Sequence, residues 1–250
     1  DGDLPGFSSV TVHGLYPVNG GGEALRDALD RVRREVSTAI AAGARIIVLS
    51  DRDSTEHMAP IPSLLLTSAV HHHLIREKTR TRVGLIVEAG DAREVHHIAL
   101  LIGYGAAAVN PYLMFEAVYA LHRSEMLPEG MSPEEAEMRV IKAIGKGLLK
   151  ILSKMGISTI RSYTGAQIFE AVGLEREVVD KYFTGTVSRV GGVGLNVLAW
   201  ECLDRHRRAY PAASSELLPA GGVYAWRRDG EFHGWNPETI ANLQHAARSE

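Results

Sequence analysis

The sequence predicts an α/β protein built from repeated β/α units. Amphipathic helical segments alternate along the chain with short apolar segments that indicate strands, and this alternation is typical of a parallel sheet. The run from Ile46 to Leu49 is apolar at every position, as expected of a strand that is covered on both faces. We therefore predict parallel strands joined by right-handed crossovers. An open doubly wound sheet and a β/α barrel both satisfy this pattern.

The first half of the chain contains four predicted strands and three predicted helices. The strands are expected at 10–18, 46–49, 81–87 and 106–109, and the helices at 23–42, 63–77 and 93–101. In the first helix, Leu25, Leu29, Val32 and Val36 fall on one face, which is the pattern of a helix that packs on a sheet.

The second half of the chain is predicted to add a fifth strand. A helix is expected at 113–123, and the next begins at Ser132, with Pro133 in its first turn. Residues 157–163 alternate apolar and polar side chains, the period of a strand. Thr164 is then a candidate N-cap for a following helix.

The character of the chain changes after Tyr182. Residues 191–194 (GGVG) indicate flexible turns, 195–208 a helix, 211–222 a loop, 221–233 a hairpin that turns at Asp229-Gly230, and 235–238 the start of a last helix. We therefore predict a β/α core over residues 1–182 and an extension of the same domain over residues 183–250.

Composition and charge exclude several classes of protein. The net charge is -3 and the basic residues form no long block, which disfavours nucleic acid or an anionic membrane as a partner. One cysteine, Cys202, can form neither an internal disulfide nor an iron–sulfur cluster. No apolar run reaches about 18 residues, so no transmembrane helix is expected. The first residues do not have the pattern of a signal peptide and do not begin with methionine, which suggests a processed chain, a domain excised from a longer one or an incomplete sequence. The single cysteine fits a reducing cytoplasm.

Two histidine clusters, residues 71–73 and 96–97, suggest a metal site at first sight. A zinc site on one helix would place its histidines at positions i and i+4. Neither cluster has that spacing, because adjacent helical residues point about 100° apart. We therefore expect no metal ligands here, and favour histidines that pack between helices.

Polar residues follow the predicted strands, where α/β proteins commonly carry their sites. They are Ser50, Asp51, Arg52, Glu88, Asn110, Tyr112, Arg161, Ser162 and Tyr163. These residues form either a site or interface, or a set that caps helices and fixes loops. They do not identify a nucleophile with its base.

Several long runs of the sequence resemble one family. They are LSDR at 49–52, APIPSLLLTSAVHHHLI at 59–75, VEAGDAREVHH at 87–97, IGYGAAAVNPYL at 102–113, KILSKMGISTIRSYTGAQIFEAVGL at 150–174, DKYFTGT at 180–186 and FHGWNPE at 232–238. Together they resemble the central domain of the large (alpha) subunit of glutamate synthase. In that family the domain lies between a glutaminase domain and an FMN/iron–sulfur domain.

The resemblance implies an incomplete TIM-barrel-like domain, related to the FMN-linked oxidoreductase barrel. The family makes two glutamates from glutamine, 2-oxoglutarate and a reductant, and passes ammonia through an internal tunnel. FMN and a 3Fe-4S cluster are expected in the full-length protein and no cofactor in this segment. The implied partners are the glutaminase and FMN domains of the parent chain and, in members that use NADPH, a small NADPH-oxidising subunit. Other members of the family take electrons from NADH or ferredoxin.

On this basis the segment is expected to be a non-catalytic scaffold within an oxidoreductase. The candidates for the tunnel wall or a domain interface are Ser50, Asn110, Tyr112, Ser162 and Tyr163. The alternative is an independent β/α enzyme or metabolite-binding protein, whose pocket would be formed by Asp51, Glu88, Asn110 and Arg161.

Overall fold

The computed structural model describes residues 6–211 and 220–249. The strands are Ser9–His13 (β1), Leu15–Pro17 (β2), Ile46–Ser50 (β3), Met58–Pro60 (β4), Gly84–Glu88 (β5), Ala108–Asn110 (β6), Glu170–Leu174 (β7) and Val187–Val193 (β8). The helices are Gly21–Ala41 (α1), Ser63–Arg76 (α2), Val95–Gly103 (α3), Tyr112–Arg123 (α4), Pro133–Lys154 (α5), Ile160–Tyr163 (α6), Arg176–Tyr182 (α7), Leu195–Ala209 (α8) and Pro237–Arg248 (α9).

The main sheet is parallel, and its four strands lie in the order β1-β3-β5-β6. This is also their order along the chain, so the sheet has no point at which the winding reverses. Helices α1, α2, α3 and α5 contact one another in the same succession, as a single helical layer would. A barrel winds in this way, whereas a doubly wound sheet has a switch point. The predicted α/β fold is confirmed, and within the described residues it is an open, incomplete TIM-barrel-like arc.

The core lies between the sheet and the helical layer. Ile47, Leu49 and Leu85 are fully buried and share one cluster with Leu25 and Leu29 of α1, as the amphipathic pattern predicts. Burial of each such side chain contributes about 1.5–3 kcal/mol relative to exposure. On the other face of β3, Ile46 and Val48 are partly buried and Ser50 is buried, so the expectation that this strand is covered on both faces is met in part.

The first predicted strand, 10–18, is two strands that belong to different sheets. The break is at Gly14, where a side chain would collide with Leu66. Gly14 donates its N–H to Ser50 O at 2.8 Å and accepts from Ile61 N at 2.8 Å. These bonds turn the chain, so that β2 pairs antiparallel with β4, a strand that the sequence did not predict.

The predicted fifth strand at 157–163 is wrong. Ile160–Tyr163 is the short helix α6, and the Thr159 side chain accepts from Ser162 N at 3.3 Å at its start. The helix expected from Thr164 is also absent, because Gly165 and Gln167 have φ angles of 75° and 55°, which a helix cannot adopt. The chain then enters β7.

The elements β7, α7, β8 and α8 pack against the first part of the chain. Helix α7 contacts α2, and Tyr16 Oη of β2 donates to Ala199 O of α8 at 3.3 Å. Val178 and Tyr182 of α7, and Ala199 of α8, belong to the same core cluster as α1 and α2. The glycines expected to form flexible turns at 191–194 lie largely in β8. At Gly192 a side chain would collide with Gly173 O, so the close approach of the two strands explains this glycine better than a turn.

Contacts divide the chain into two compact units, one ending at Arg207 and one beginning at Arg208. In the second unit α9 begins where predicted, and the Asn236 side chain accepts from Thr239 N at 3.0 Å. The predicted hairpin at 221–233 is wrong, because residues 220–233 contain a turn, with Gly230 N donating to Arg227 O at 3.1 Å, but no strand. Most of the predicted loop at 211–222 lies outside the described residues.

Candidate functional site

Three polar residues stand side by side at the carboxyl end of the main sheet. The strand register pairs Ser50 with Glu88 and Glu88 with Asn110, so that their side chains share one face. Ser50 Oγ donates to Glu88 Oε2 at 2.6 Å, and Asn110 Nδ2 donates to Glu88 Oε1 at 3.2 Å. We call these residues the strand-end row. The structure therefore places two of the predicted wall or interface residues, Ser50 and Asn110, around the carboxylate of Glu88.

Arg52 balances the charge of this row. Its Nε lies 2.9 Å from Glu88 Oε1, and its NH1 lies 3.4 Å from Glu116 Oε1. The guanidinium also stacks over the Tyr112 ring, 4.0 Å from the ring centroid, which is a cation–π geometry. Ser50, Arg52 and Asn110 thus hold the Glu88 carboxylate in place.

The pKa of Glu88 reflects this environment. Partial burial acts to raise the pKa, but hydrogen bonds from Ser50, Arg52 and Asn110 outweigh it, so the pKa is lowered. Glu88 is therefore ionised at neutral pH. The hydroxyl of Ser50 donates to this carboxylate and the residue is only 1% exposed, so Ser50 is not poised as a nucleophile.

Asp51 is a second carboxylate, and its pKa is shifted in the opposite direction to that of Glu88. It is buried, and its oxygens accept from Gly90 N at 2.8 and 3.0 Å. Burial raises the pKa of Asp51, and hydrogen bonds from Gly90 and Tyr112 offset this only in part. The pKa of Tyr112 is also raised, mainly by burial and by the neighbouring Asp51 charge. Asp51 therefore joins the segment after β3 to Gly90 after β5 and to Tyr112 at the start of α4.

The remaining candidates, Arg161, Ser162 and Tyr163, are not part of this arrangement. They lie in α6, and Gly165 N, just beyond it, donates to Gly103 O at 2.9 Å. Gly103 ends α3, which leads back to the amino end of the sheet. Tyr163 is 0% exposed and donates to Ala99 O at 3.2 Å. The alternative pocket that combines Arg161 with Asp51, Glu88 and Asn110 is therefore not assembled.

Sequence reasoning missed two residues near the strand ends, His13 and Asp91. His13 is paired with Ser50 in the sheet register and lies 3.6 Å from Asp53, so it extends the polar edge to β1. Asp91 accepts from Ser63 N at 3.0 Å at the start of α2. His13 could have been found from the alternation of residues 10–13. If the predicted strand had ended before Gly14, His13 would have been its last residue.

The first histidine cluster, residues 71–73, is part of the packing, whereas His96 of the second cluster is exposed. His71 Nδ1 accepts from Arg80 Nε at 3.0 Å, and His73 Nε2 lies 2.8 Å from Ser37 Oγ. Burial lowers the pKa of both rings, that of His71 to about 4. Within residues 6–211 and 220–249, no group of three or more His, Cys, Asp or Glu side chains could hold a metal ion.

The single cysteine also has a structural position. Cys202 is buried, and its Sγ donates to Pro60 O at 3.0 Å. An iron–sulfur cluster needs several thiolates, so the residues of this chain do not fit one. Among the described residues, no helix combines the length and the apolar character needed to cross a membrane.

Comparison with known proteins identifies relatives of the whole chain. The chain is 49% identical over 229 residues to the "Glutamate synthase [NADPH] large chain" of Bacillus subtilis (strain 168). This match covers 90% of this chain and 15% of that protein. It is 45% identical over 226 residues to the "Glutamate synthase [NADH]" of Schizosaccharomyces pombe, covering 89% of this chain and 11% of the relative. The "Ferredoxin-dependent glutamate synthase" of Cyanidium caldarium is 40% identical over 237 residues, covering 91% and 15%.

Among solved structures, a flavocytochrome b2 mutant with bound pyruvate aligns with a TM-score of 0.42 and 14% identity, over 64% of this chain and 47% of that one. The sequence relatives are much longer than this chain, which spans 11–15% of the length of the three named above. The sequence model described as "Glutamate synthase central domain" matches residues 3–175. The chain belongs to the glutamate synthase central domain family.

Proposed function

We propose that this chain is the central scaffold domain of a glutamate synthase large chain. In this role it links a glutaminase domain to an FMN domain and forms part of the wall of the ammonia tunnel. The parent enzyme would convert glutamine, 2-oxoglutarate and a reductant into two glutamates in the cytoplasm. The segment itself would be non-catalytic, with residues 1–182 as its core and 183–250 as an extension towards the FMN domain.

The observation that carries this proposal is the internal balance of the strand-end row. Glu88 is paired with Arg52 and accepts from Ser50 and Asn110, so its carboxylate already has partners within the chain. Ammonia that is protonated, or held by a free anion, would not travel onward. A wall of polar groups that already have partners guides a small neutral molecule without trapping it.

The proposed wall residues are Ser50, Asn110 and Tyr112. Ser162 is exposed on α6 and is proposed for a domain interface. Tyr163 is buried, so its contribution would come through packing beneath such an interface. FMN, a 3Fe-4S cluster and a small NADPH-oxidising subunit are proposed for other parts of the parent enzyme, since one buried cysteine does not fit a cluster.

The test is the fate of ammonia in the full-length parent enzyme carrying Asn110→Leu. We expect glutamine hydrolysis to continue, formation of glutamate from 2-oxoglutarate to fall, and ammonia to escape into the medium. External ammonium should restore part of the lost glutamate. The matched control is Asn19→Leu, at an exposed loop position, which should keep hydrolysis and synthesis coupled.

Unchanged coupling in Asn110→Leu would remove this residue from the tunnel wall. Flavin bound by the isolated 250-residue chain, or turnover of glutamine and 2-oxoglutarate by it, would contradict the scaffold role altogether.

A further inference from the structure

The outer face of α5 exposes large apolar side chains. Ala136 and Leu152 are buried on the inner side of this helix. Met138 and Leu149, which lie about three turns apart on one outward side of the helix, are 62% and 68% exposed, and Ile141 at the edge of that side is 43% exposed. Ile141 and Leu149 belong to one ridge of residues spaced four apart, and Met138 begins the neighbouring ridge. Clustered exposed apolar side chains of this kind mark an interaction surface more often than scattered ones do.

Lysines continue the ridge that Met138 begins. Lys142, Lys146, Lys150 and Lys154 follow at intervals of four residues. The ion pair of α5 joins Arg139 to Glu135, and among the described residues none of these lysines has an acidic partner. Like charges at i and i+4 destabilise a helix by about 0.2–0.5 kcal/mol per pair. This face therefore carries a repulsion that the described chain does not compensate.

Two glycines of α5 differ in what surrounds them. A Cβ on Gly147 would lie 2.6 and 2.7 Å from the methyl groups of Val95, so packing against α3 requires this glycine. A Cβ on Gly145 would have no heavy atom within 4 Å. Glycine in a helix interior is about 1 kcal/mol less favourable than alanine. The described residues give no reason for Gly145, which forms a notch between Ile141 and Leu149.

We propose that this face of α5 is a docking site for an acidic helix from another part of the parent polypeptide. The apolar ridge would receive the partner's apolar side chains, and the lysines would pair with its carboxylates. The notch at Gly145 would let the two backbones approach closely, in a crossing of the kind formed by ridges four residues apart, near 50°. We name the site, from Met138 to Lys150, the α5 outer face.

The charge of the surface and the size of the relatives favour this partner. A second copy of the chain would bring lysine against lysine, so self-association through this face is disfavoured. The Bacillus subtilis relative is matched over only 15% of its length, so most of a family large chain lies outside the matched segment. The inference rests on the linking role proposed above, but not on the ammonia tunnel.

The experiment uses the full-length parent enzyme and a carbodiimide, which joins lysine amines to carboxylates in direct contact. We expect Lys142, Lys146 and Lys150 to form cross-links with Asp or Glu residues of the same polypeptide outside the 250-residue segment. Lys78, exposed on a turn after α2, is the control and should form none of these. A mixture of isotopically light and heavy enzyme separates links within a chain from links between chains.

Variants make the geometry testable. Gly145→Ala should reduce cross-linking of Lys142 and Lys146 by about tenfold, the change expected if docking weakens by about 1.4 kcal/mol. Lys146→Glu should reduce cross-linking of Lys142 and Lys150 in the same way, while Lys78→Glu should not. The tunnel variant Asn110→Leu should leave the cross-links intact, so that failure of the tunnel and failure of docking are separate results.

Three outcomes would overturn the proposal. The first is cross-links that join these lysines only to residues within the segment or to a second copy. The second is cross-linking unchanged by both Gly145→Ala and Lys146→Glu. The third is binding of the enzyme to vesicles of phosphatidylserine and phosphatidylcholine that is lost in Lys146→Glu, because a lipid surface would then be the partner of this face.

Discussion

The strand-end row and the α5 outer face both concentrate charged or polar groups, but their charges are balanced in different places. In the row, Glu88 has its partners within 2.6–3.2 Å inside the chain. On α5, successive lysines stand four residues apart without an acidic partner among the described residues. Polar groups that are satisfied inside a fold keep its parts in position, whereas unbalanced charge beside exposed apolar side chains indicates a contact with another surface.

The strongest test of this contrast is the removal of Glu88. Glu88→Ala leaves Arg52 without its closest carboxylate and removes the acceptor of Ser50 and Asn110. Because the Glu88 side chain is 19% exposed, we expect a loss of about 2–3 kcal/mol in the free energy of unfolding, somewhat below that of a fully buried pair. Urea denaturation of the chain measures it.

Glu116→Ala is the control for that prediction, because Glu116 contacts the same arginine but its side chain is 59% exposed. It should change stability by less than about 0.5 kcal/mol. Equal effects of the two substitutions would show that the row is an ordinary surface cluster.

The two α5 glycines provide a second test, of intermediate size. Gly147→Ala should destabilise the chain by about 1–3 kcal/mol, because the added methyl meets Val95, whose branched side chain has little freedom to move. Gly145→Ala should instead stabilise it by about 0.5–1 kcal/mol. Thermal unfolding of both variants checks the opposite signs, and a loss of stability in Gly145→Ala would mean that a neighbour within the chain requires that glycine.

The smallest expected effect is the pH dependence of the two carboxylates. The lowered pKa of Glu88 means that its stabilisation is present at neutral pH and is lost as the pH falls through that pKa. The raised pKa of Asp51 has the opposite sign, because stability is lost as the pH rises through it. Relative to the wild type, Glu88→Gln should therefore become less stable as the pH rises from acid to neutral, and Asp51→Asn more stable. Unfolding measured across this range tests both, and parallel curves would contradict the assignment.

Much of the fold was predictable because its signals are local and repeated. The apolar face of α1 and the capping residue Ser132 of α5, whose side chain accepts from Glu135 N at 3.1 Å, can be recognised from spacing alone. The later strands of the main sheet were also found within a few residues of their bounds. Long runs that resemble the family gave the barrel-like winding, which the alternation of elements had left open.

The errors occurred where a local pattern was short. Seven alternating residues at 157–163 fit a strand, yet a hydroxyl cap from Thr159 and the conformation at Gly165 determine a short helix and a bend. Likewise, nothing in residues 10–18 alone shows that the strand must break at Gly14, where Leu66 leaves no room for a side chain. Both outcomes depend on contacts with residues distant in the sequence or on competition between local hydrogen bonds.

For the candidate site, the sequence by itself determined which polar residues follow the strands. It also determined that they lie at one edge, because the carboxyl ends of parallel strands meet there. Only the tertiary structure decided which of them meet. The register joins Ser50, Glu88 and Asn110, while the packing of α6 beside the end of α3 removes Arg161, Ser162 and Tyr163. The same holds for α5, whose spacing predicts a helix, but whose two glycines could be told apart only once Val95 was seen to lie against one of them.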